Sequence, residues 1–171
     1  PVLVVDPLEE RRTLALDAGA DGAFAPGGLT DRVMEITGGR GADFAVETSG
    51  SGAALQSAVD AVATEGTVVV ASWYGTKPVT LALGGHFHRG RVRLRSSQVG
   101  RMNPELAPRW DRARRMDTVL GLLGRLKLRE LISHRIPFGE APEAYTLLDE
   151  RPEEALQVIF TYEGLRGGQD V

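Results

Sequence analysis

The sequence predicts an α/β protein with a parallel sheet that carries helices on both faces. Short apolar runs alternate with amphipathic stretches along residues 2–72. Strands that alternate with helices of this length are joined by right-handed crossovers and lie parallel. The run 66–72 (GTVVVAS) is apolar enough for a strand buried on both faces. The chain has 171 residues, 42% of them apolar, which suffices for one ordinary domain and a small appendage.

The first predicted strand is residues 2–5 (VLVV), and Asp6 closes it. Residues 8–18 separate apolar from charged side chains as a helix lying on a sheet does, and Gly19 is a typical helix stop. Further along, Thr30 is the predicted N-cap of a second helix. The remaining predicted elements are, in order, strand 22–24, helix 30–37, strand 42–47, helix 52–63 and strand 66–72.

Beyond Gly75 the regular alternation ends. Residues 77–83 are predicted to be extended, residues 84–90 to form a turn or short helix, and residues 91–97 to form the last strand of the sheet. Residues 131–162 are too short for a domain of their own, so we expect them to complete a neighbouring one. The final predicted elements are helix 109–126, strand 132–138, helix 140–148, strand 156–162 and the mobile tail 163–171.

Charge and composition favour a protein that binds a small molecule. A formal net charge of -3 and a pI near 5.7 give no general attraction to nucleic acid or to anionic membranes. The sequence has no Cys, which excludes disulfides and thiolate zinc sites and makes the cytoplasm the expected location. No apolar run approaches the roughly 18 residues of a membrane span, so no membrane partner is expected.

Asp6 indicates a dinucleotide site. An acidic residue directly after an apolar strand accepts hydrogen bonds from the adenosine ribose in such sites, and the glycine-rich phosphate loop lies about 20 residues earlier. Because the chain opens at Pro1, we expect that loop to precede it in a longer enzyme. The carboxylate repels a 2′-phosphate and so favours NAD over NADP, although Arg11 and Arg12 can offset that repulsion. Asp6 also suits the N-terminal end of the next helix as a cap, and the two roles are compatible.

Six blocks of the sequence resemble the medium-chain dehydrogenase/reductase family of the zinc-type alcohol dehydrogenase kind. In the order of that family's fold, they are similar to its second strand and helix, its fourth and fifth strands, the end of its sixth strand, and a closing segment in two parts. Their order and spacing agree with the family over nearly all of residues 2–162. The blocks are residues 2–21, 41–50, 66–72, 95–100, 134–145 and 156–162.

The resemblance implies a Rossmann-like sheet that lacks its first strand and helix. It implies a partial dinucleotide-binding domain over residues 1–130, a segment over residues 131–162 that returns to and completes a catalytic domain, and a flexible tail over residues 163–171. The absent N-terminal domain of the longer enzyme would hold the substrate pocket and any catalytic zinc. No catalytic or metal-ligating residue is expected within this sequence.

The resemblance also implies which residues contact the cofactor. Asp6 would hold the adenosine ribose, with Arg11 over the adenine ribose. Gln157 stands where relatives often have an Arg or Lys that reaches the pyrophosphate; Gln donates a hydrogen bond but loses the charge-assisted part of that contact. The adenine and ribose side is implied for Thr48, Ser49 and Gly50. The nicotinamide side is implied for Ala71, Ser72, Ser97 and Val99.

Other conspicuous residues have plainer interpretations. Glu47 suits a strand-end residue that binds local amides, because no partner for proton transfer lies nearby in sequence. His86 and His88 stand two residues apart without carboxylate or thiol companions, which is a poor zinc pattern. Trp73 and Tyr74 suit either a shield over a cofactor ring or a subunit contact, and the sequence does not choose between them.

Four arginines alternate along the last predicted strand and the residues just before it. Such a row can bind nucleic acid, but in an acidic chain it is more simply charge on an edge strand or at the rim of a contact. In the resembling family this strand pairs with its copy across a two-fold axis, which implies a homodimer. The arginines are Arg89, Arg91, Arg93 and Arg95.

The sequence therefore predicts the cofactor-binding part of an NAD-dependent oxidoreductase that acts on an alcohol or carbonyl substrate. A zinc-free quinone or enoyl reductase of the same superfamily remains an alternative, distinguished by whether Cys and His ligands occur in the N-terminal part. A non-catalytic nucleotide-binding module is the alternative from another class.

Overall fold

The computed structural model describes residues 1–162, which fall into two units, residues 1–103 and the part of the chain from Pro104 onward. The predicted tail, 163–171, lies outside the described residues. The strands of the first unit are β1 (Leu3–Val5), β2 (Gly22–Phe24), β3 (Ala42–Glu47), β4 (Val62–Val70) and β5 (Arg93–Ser96). Its helices are α1 (Glu9–Asp17), α2 (Leu29–Thr37) and α3 (Gly52–Ala61), with a single helical turn at Leu83–Phe87.

Every strand pair of the first unit is parallel, which confirms the predicted fold class. Strand β1 pairs with β2, while β4 lies between β3 and β5. Within residues 1–162, neither β1 nor β3 has a strand along its second edge. These two open edges agree with the predicted sheet that lacks one strand.

The core of the first unit lies between α3 and the three-stranded sheet. Ser51 caps α3 by accepting a hydrogen bond from the amide of Ala54, and the helix buries its apolar side against β4. Phe44 and Val46 point to the opposite face of β3, where they are 59% and 50% exposed. Only one face of β3 is therefore covered within the described residues. The buried core residues are Leu55, Val59, Val62, Val68 and Val92.

A close approach between β3 and the start of β4 requires glycine at position 41. Gly41 has a φ of +86°, and a Cβ atom there would lie 2.7 Å from the backbone N of Ala63. The strand pairing skips residues at the same place, since Ala42 faces Val62 whereas Phe44 faces Thr67. Glu65 occupies this irregularity with a φ of +62°. The sequence predicted that β4 begins at residue 66, and regular pairing with β3 begins one residue later, at Thr67.

The predicted N-cap of the second helix was wrong. Helix α2 begins at Leu29, one residue before Thr30, and its N-cap is Gly28 in the left-handed conformation with a φ of +72°. A glycine reaches this conformation without the steric cost that a Cβ imposes. The chain therefore turns into the helix through the backbone freedom of Gly28 and without a side-chain hydrogen bond.

The second unit contains two helices and a pair of parallel strands. They are α4 (Arg112–Leu123), β6 (Ile132–Pro137), α5 (Ala141–Glu150) and β7 (Gln157–Thr161). Asp111 caps α4 by accepting from the amide of Arg114. Phe138 stacks on Tyr162 with a ring separation of 4.9 Å, next to the end of β7. No helix among residues 1–162 has the length and apolarity needed to cross a membrane.

Candidate functional site

Glu47 ends β3 and is only 4% exposed, although it is a carboxylate. Its Oε1 accepts hydrogen bonds from the amide of Ser49 at 2.6 Å and from the amide of Gly50 at 3.0 Å. The same oxygen accepts from the hydroxyl of Ser49 at 2.6 Å. Glu47 thus binds local amides as the sequence predicted, and it holds the turn 48–50 against the end of β3.

The residues after β4 bind the same glutamate. The amides of Ala71 and Ser72 donate to the carbonyl oxygen of Glu47 at 2.8 and 3.2 Å. The hydroxyl of Ser72 donates to Oε2 of Glu47, and the hydroxyl of Tyr74 donates to that oxygen at 2.8 Å. One carboxylate therefore joins the turn after β3 to the turn after β4. We refer to this group as the Glu47 cluster; its members are Glu47, Ser49, Gly50, Ser72 and Tyr74.

The Glu47 cluster favours the ionised carboxylate. Burial alone would raise the pKa of Glu47, but the hydrogen bonds from Ser49, Ser72 and Tyr74 outweigh burial and lower the pKa to about 2. Burial and the hydrogen bond to Glu47 raise the pKa of the Tyr74 phenol. At neutral pH the cluster consequently holds a carboxylate anion and a neutral phenol.

The surface above the Glu47 cluster is open. Gly50 has a φ of +70°, and a Cβ atom there would lie 3.6 Å from the carbonyl oxygen of Trp73, so the two turns lie close together. Thr48 and Ala71 are exposed, and Trp73 is 91% exposed. The ends of β3 and β4 thus present a short stretch of accessible backbone over a buried anion.

The strand-end groups on β5 lie at the same edge of the three-stranded sheet. The amide of Ser97 donates to the carbonyl oxygen of Val70 at 2.8 Å, which extends the pairing by one residue beyond the end of β5. Val99 follows and is 80% exposed. Of the predicted nicotinamide side, Ala71, Ser72 and Ser97 therefore come from adjacent strand ends, with Val99 two residues further along.

Asp6 follows β1 and binds the turn that leads into α1, but it is not the cap of that helix: the N-cap residue is Leu8, and no side-chain hydrogen bond caps α1. Its Oδ1 accepts from the amide of Leu8 at 2.9 Å. Arg12 donates through Nη1 to the carbonyl oxygens of Asp6 and Pro7, both at 2.8 Å, so its guanidinium holds the backbone of this turn. Arg11 lies half-buried on α1. The bond to Leu8 occupies one carboxylate oxygen of Asp6 and leaves the predicted ribose contact chemically possible through the other.

Gln157 belongs to the second unit, where it is the first residue of β7. Its side-chain Nε2 donates to the carbonyl oxygen of Val158 at 3.2 Å. The side chain is exposed. The proposed role of Gln157 at the pyrophosphate remains a prediction.

One of the two histidines and two of the four arginines have local partners. The Nε2 atom of His86 lies 2.7 Å from the carbonyl oxygen of Val62, which is a structural hydrogen bond between the single helical turn and β4. Arg91 and Arg93 both form ion pairs with Glu65, the latter at 2.7 Å. Two residues of the arginine row therefore bind Glu65 at the irregular start of β4, and this pairing was not predicted from the sequence. We refer to these two ion pairs as the Glu65 clamp.

A zinc site does not fit the described residues. Residues 1–162 contain no group of three His, Asp or Glu side chains placed to hold a metal ion, and the whole sequence has no Cys. His86, the most conspicuous nitrogen ligand, already bonds to a backbone carbonyl. No chemistry of these residues is therefore attributed to a metal.

Comparison with known proteins places this chain in a family. A family model described as zinc-binding dehydrogenase matches residues 1–115. The chain belongs to this family. The match covers β1 to β5, including every residue of the Glu47 cluster. The resemblance inferred from the sequence is confirmed.

Individual members of the zinc-binding dehydrogenase family align along most of the chain. D-guloside 3-dehydrogenase from Escherichia coli K12 is 34% identical over 170 residues, 94% of this chain and 47% of that protein. A solved alcohol dehydrogenase from Thermotoga maritima has a TM-score of 0.77 at 28% identity, covering 95% of this chain and 43% of that one. An alcohol dehydrogenase from Escherichia coli, solved with NADH, is 20% identical with a TM-score of 0.69 over 94% of this chain and 44% of that one, and shows a common fold. The chain spans about half the length of the curated relatives that it matches.

Sequence reasoning missed how Glu47 and Tyr74 take part in this edge of the sheet. The bonds from Glu47 to the turn after β3 could be predicted, because an acidic side chain two residues before Ser49 has the spacing that binds turn amides. The bonds with Ser72 and Tyr74 could not, since these residues are separated from Glu47 by 25 and 27 residues. Only the parallel pairing of β3 with β4 brings them together.

Proposed function

We propose that this chain is the NAD-binding part of a dehydrogenase that acts on an alcohol or carbonyl substrate. The observation that carries the proposal is the carboxyl edge of a parallel sheet, where the turns after β3 and β4 are joined by Glu47 and remain exposed. Ligands of open α/β sheets bind outside the carboxyl ends of the strands. Membership in the zinc-binding dehydrogenase family supports the reaction class.

Asp6 supplies the preference for NAD in this proposal. Its carboxylate can accept from the ribose hydroxyls while Oδ1 accepts from the amide of Leu8. Arg12 is held by two backbone carbonyls, so its guanidinium is engaged within the turn. In this proposal, the negative charge of Asp6 outweighs the nearby arginine charge and favours NAD over NADP. Arg11 lies over the adenine ribose.

The remaining contacts follow the strand ends. Thr48, Ser49 and Gly50 form the adenine and ribose side, where Gly50 lets backbone come close to a ligand because it has no side chain. The nicotinamide side is formed by Ala71, Ser72, Ser97 and Val99. Gln157 would contribute an uncharged donor toward the pyrophosphate.

The contribution of these residues to the reaction is binding and orientation. Bound NAD supplies the hydride acceptor for an alcohol or the hydride donor for a carbonyl. The chain holds the two cofactor halves through the turns after β3 and β4, and the Glu47 cluster keeps both of these turns in place. Substrate binding and any zinc belong, in this proposal, to a further part of a longer cytoplasmic enzyme.

A homodimer through β5 completes the proposal. Strand β5 pairs only with β4 within residues 1–162, and all four of its residues are exposed. An edge strand of this kind presents unpaired amides and carbonyls, which a two-fold copy satisfies on both chains at once. The salt bridges of Arg91 and Arg93 with Glu65 lower the repulsion between facing arginine rows.

The proposed cofactor site can be tested by titrating the isotopically labelled chain with NADH and following its amide NMR signals. We expect the signals of Thr48, Gly50, Ala71 and Ser72 to shift, together with those of the turn after β1. The affinity should be weak, because the sequence contains no G-x-G-x-x-G loop to bind the pyrophosphate through backbone amides. Shifts that are absent up to the solubility limit, or that are confined to residues 104–162, would contradict the proposal.

A further inference from the structure

We propose that Glu47 is a positioning residue for the cofactor, and that it fixes the hydrogen-bonding polarity of the edge formed by the turns after β3 and β4. This inference rests on the proposed function, since it assigns a task to a residue that does not itself face the ligand. Glu47 is 4% exposed, whereas the neighbouring Thr48, Ser49 and Ala71 are exposed. Its effect on a ligand must therefore pass through the groups that it holds.

The geometry gives Glu47 control over both turns at once. Oε1 takes two amides and one hydroxyl from the turn after β3, and Oε2 takes two hydroxyls from the segment after β4. Strand pairing alone ends at Val70, apart from the bonds of Ala71 and Ser72 to the carbonyl of Glu47. The side chain thus extends the connection between the strands to the residues expected to meet the cofactor.

A carboxylate also determines which way the hydroxyl protons point. An ionised carboxylate only accepts hydrogen bonds, so Ser49, Ser72 and Tyr74 must each donate their single proton to it. Ser49 Oγ already accepts from the amide of Ser51 at 3.1 Å. Ser72 then presents only oxygen lone pairs to a ligand. The edge is therefore set to accept from ligand donors such as ribose hydroxyls or an amide NH₂ group.

Glu47→Gln tests this assignment with little change in volume. The amide NH₂ of Gln donates where the carboxylate accepts, so the hydroxyls of Ser72 and Tyr74 would have to reverse and the cluster would lose its charge. We expect the affinity for NADH, measured by the NMR titration of the labelled full chain, to fall by about tenfold, the loss of one hydrogen bond to a charged group. We also expect faster hydrogen exchange at the amides of Ser49 and Gly50.

Tyr74→Phe and Glu65→Gln complete the experiment. Tyr74→Phe removes one donor and keeps the carboxylate, so we expect a few-fold loss of affinity even if Glu47→Gln does not fold. Glu65→Gln is the matched control, because Glu65 bonds Arg91 and Arg93 near the opposite end of β4. It should lower stability and leave NADH affinity unchanged.

The outcomes separate this inference from the proposed function. If the wild-type chain shows no NADH-dependent shifts, the proposed function fails and the positioning role fails with it. If the wild-type chain binds NADH, but Glu47→Gln and Tyr74→Phe bind it as well as wild type or lose no more affinity than Glu65→Gln, the proposed function stands and the positioning role is overturned. A loss confined to the Glu47 cluster variants supports the positioning role.

Discussion

Glu47 carries a negative charge in a nearly buried position, and no ion pair within residues 1–162 involves it. Burying an unpaired charge is costly unless polar groups replace the lost water. Here two amides and three hydroxyls surround the carboxylate, and they belong to turns that would otherwise be joined only by backbone. The anion therefore stabilises the turns only as long as it stays ionised.

Acid should weaken the protein through Glu47. The pKa of Glu47 lies near 2 in the folded chain, below its ordinary value of 4.5, so its contribution to stability is present above about pH 4.5 and is lost as the pH falls toward 2. The full effect is about 3 kcal/mol of unfolding free energy. Urea denaturation at about pH 5 and about pH 3 measures the larger part of this effect, about 2 kcal/mol, because the rest is lost only below pH 3. Glu47→Gln should remove this part of the pH dependence, and an unchanged acid dependence in that variant would contradict the assignment.

Asp6→Asn should relax the preference for NADH over NADPH. Asn keeps a side-chain oxygen that can accept from the amide of Leu8, but it removes the charge that repels a 2′-phosphate. We expect NADH to bind more weakly and NADPH relatively better, as measured by parallel NMR titrations with the two cofactors. Asp21→Asn is the control, since Asp21 also binds a backbone amide, that of Val2, close to β1. If Asp6→Asn leaves the ratio of the NADH and NADPH affinities unchanged, Asp6 does not bind the adenosine ribose.

The strands and helices were largely predictable because their patterns are local. Apolar runs located β1, β3 and β4, whereas the cap that Ser51 provides for α3 was not among the predictions. The start of α2 was not predictable from its residues in the same way. Thr30 is a favourable cap, but the left-handed backbone at Gly28 starts the helix earlier.

The turn before β3 offers a test of close packing with an internal control. Gly39 and Gly41 have φ values of +84° and +86°, so alanine is strained at both positions. Only at Gly41 would the added Cβ meet backbone, 2.7 Å from the N of Ala63, whereas nothing lies within 4 Å at Gly39. We expect Gly39→Ala to cost about 1 kcal/mol and Gly41→Ala about 2 kcal/mol more. Thermal or urea unfolding of both variants measures these losses. Equal losses of unfolding free energy would contradict the prediction, because they would show that the backbone near Ala63 moves away from the added Cβ at little cost.

Strand β5 gives a directed test of the proposed dimer. The amide of Ser97 bonds to Val70 on β4, and alternation along a strand therefore turns the amide of Arg95 toward β4 and that of Leu94 away from it. Leu94→Pro should leave the β4–β5 pairing intact and prevent pairing with a second copy. Light scattering should show loss of the dimer for Leu94→Pro, with wild-type hydrogen exchange in β4.

Arg95→Pro is the companion variant for that experiment. It removes a donor within the sheet and should lower the stability of the chain itself. A wild-type chain that is monomeric at micromolar concentration would contradict the dimer. So would a dimer that persists in Leu94→Pro.

For the molecule as a whole, the sequence anticipated the family and the parallel sheet, but not how the two turns at the edge of the sheet are joined. Asp6 and the residues Thr48–Gly50 follow apolar strands, so their position at strand ends could be read directly. The bond between Glu47 and Ser72 depends on the register of β3 against β4, which local patterns do not contain. The ion pairs of Arg91 and Arg93 with Glu65 were not predicted either. They depend on the left-handed backbone conformation of Glu65, which local patterns do not contain.

The open edges of β1 and β3 bear on how the chain behaves in concentrated solution. An unpaired strand edge is a template for further strands, and exposed apolar groups such as Phe44 and Val46 strengthen such contacts. Chains that add to these edges need no two-fold symmetry, so they form open-ended aggregates of mixed size. Raising the concentration should therefore broaden the size distribution, and a charged residue in place of Val46 should narrow it and improve solubility.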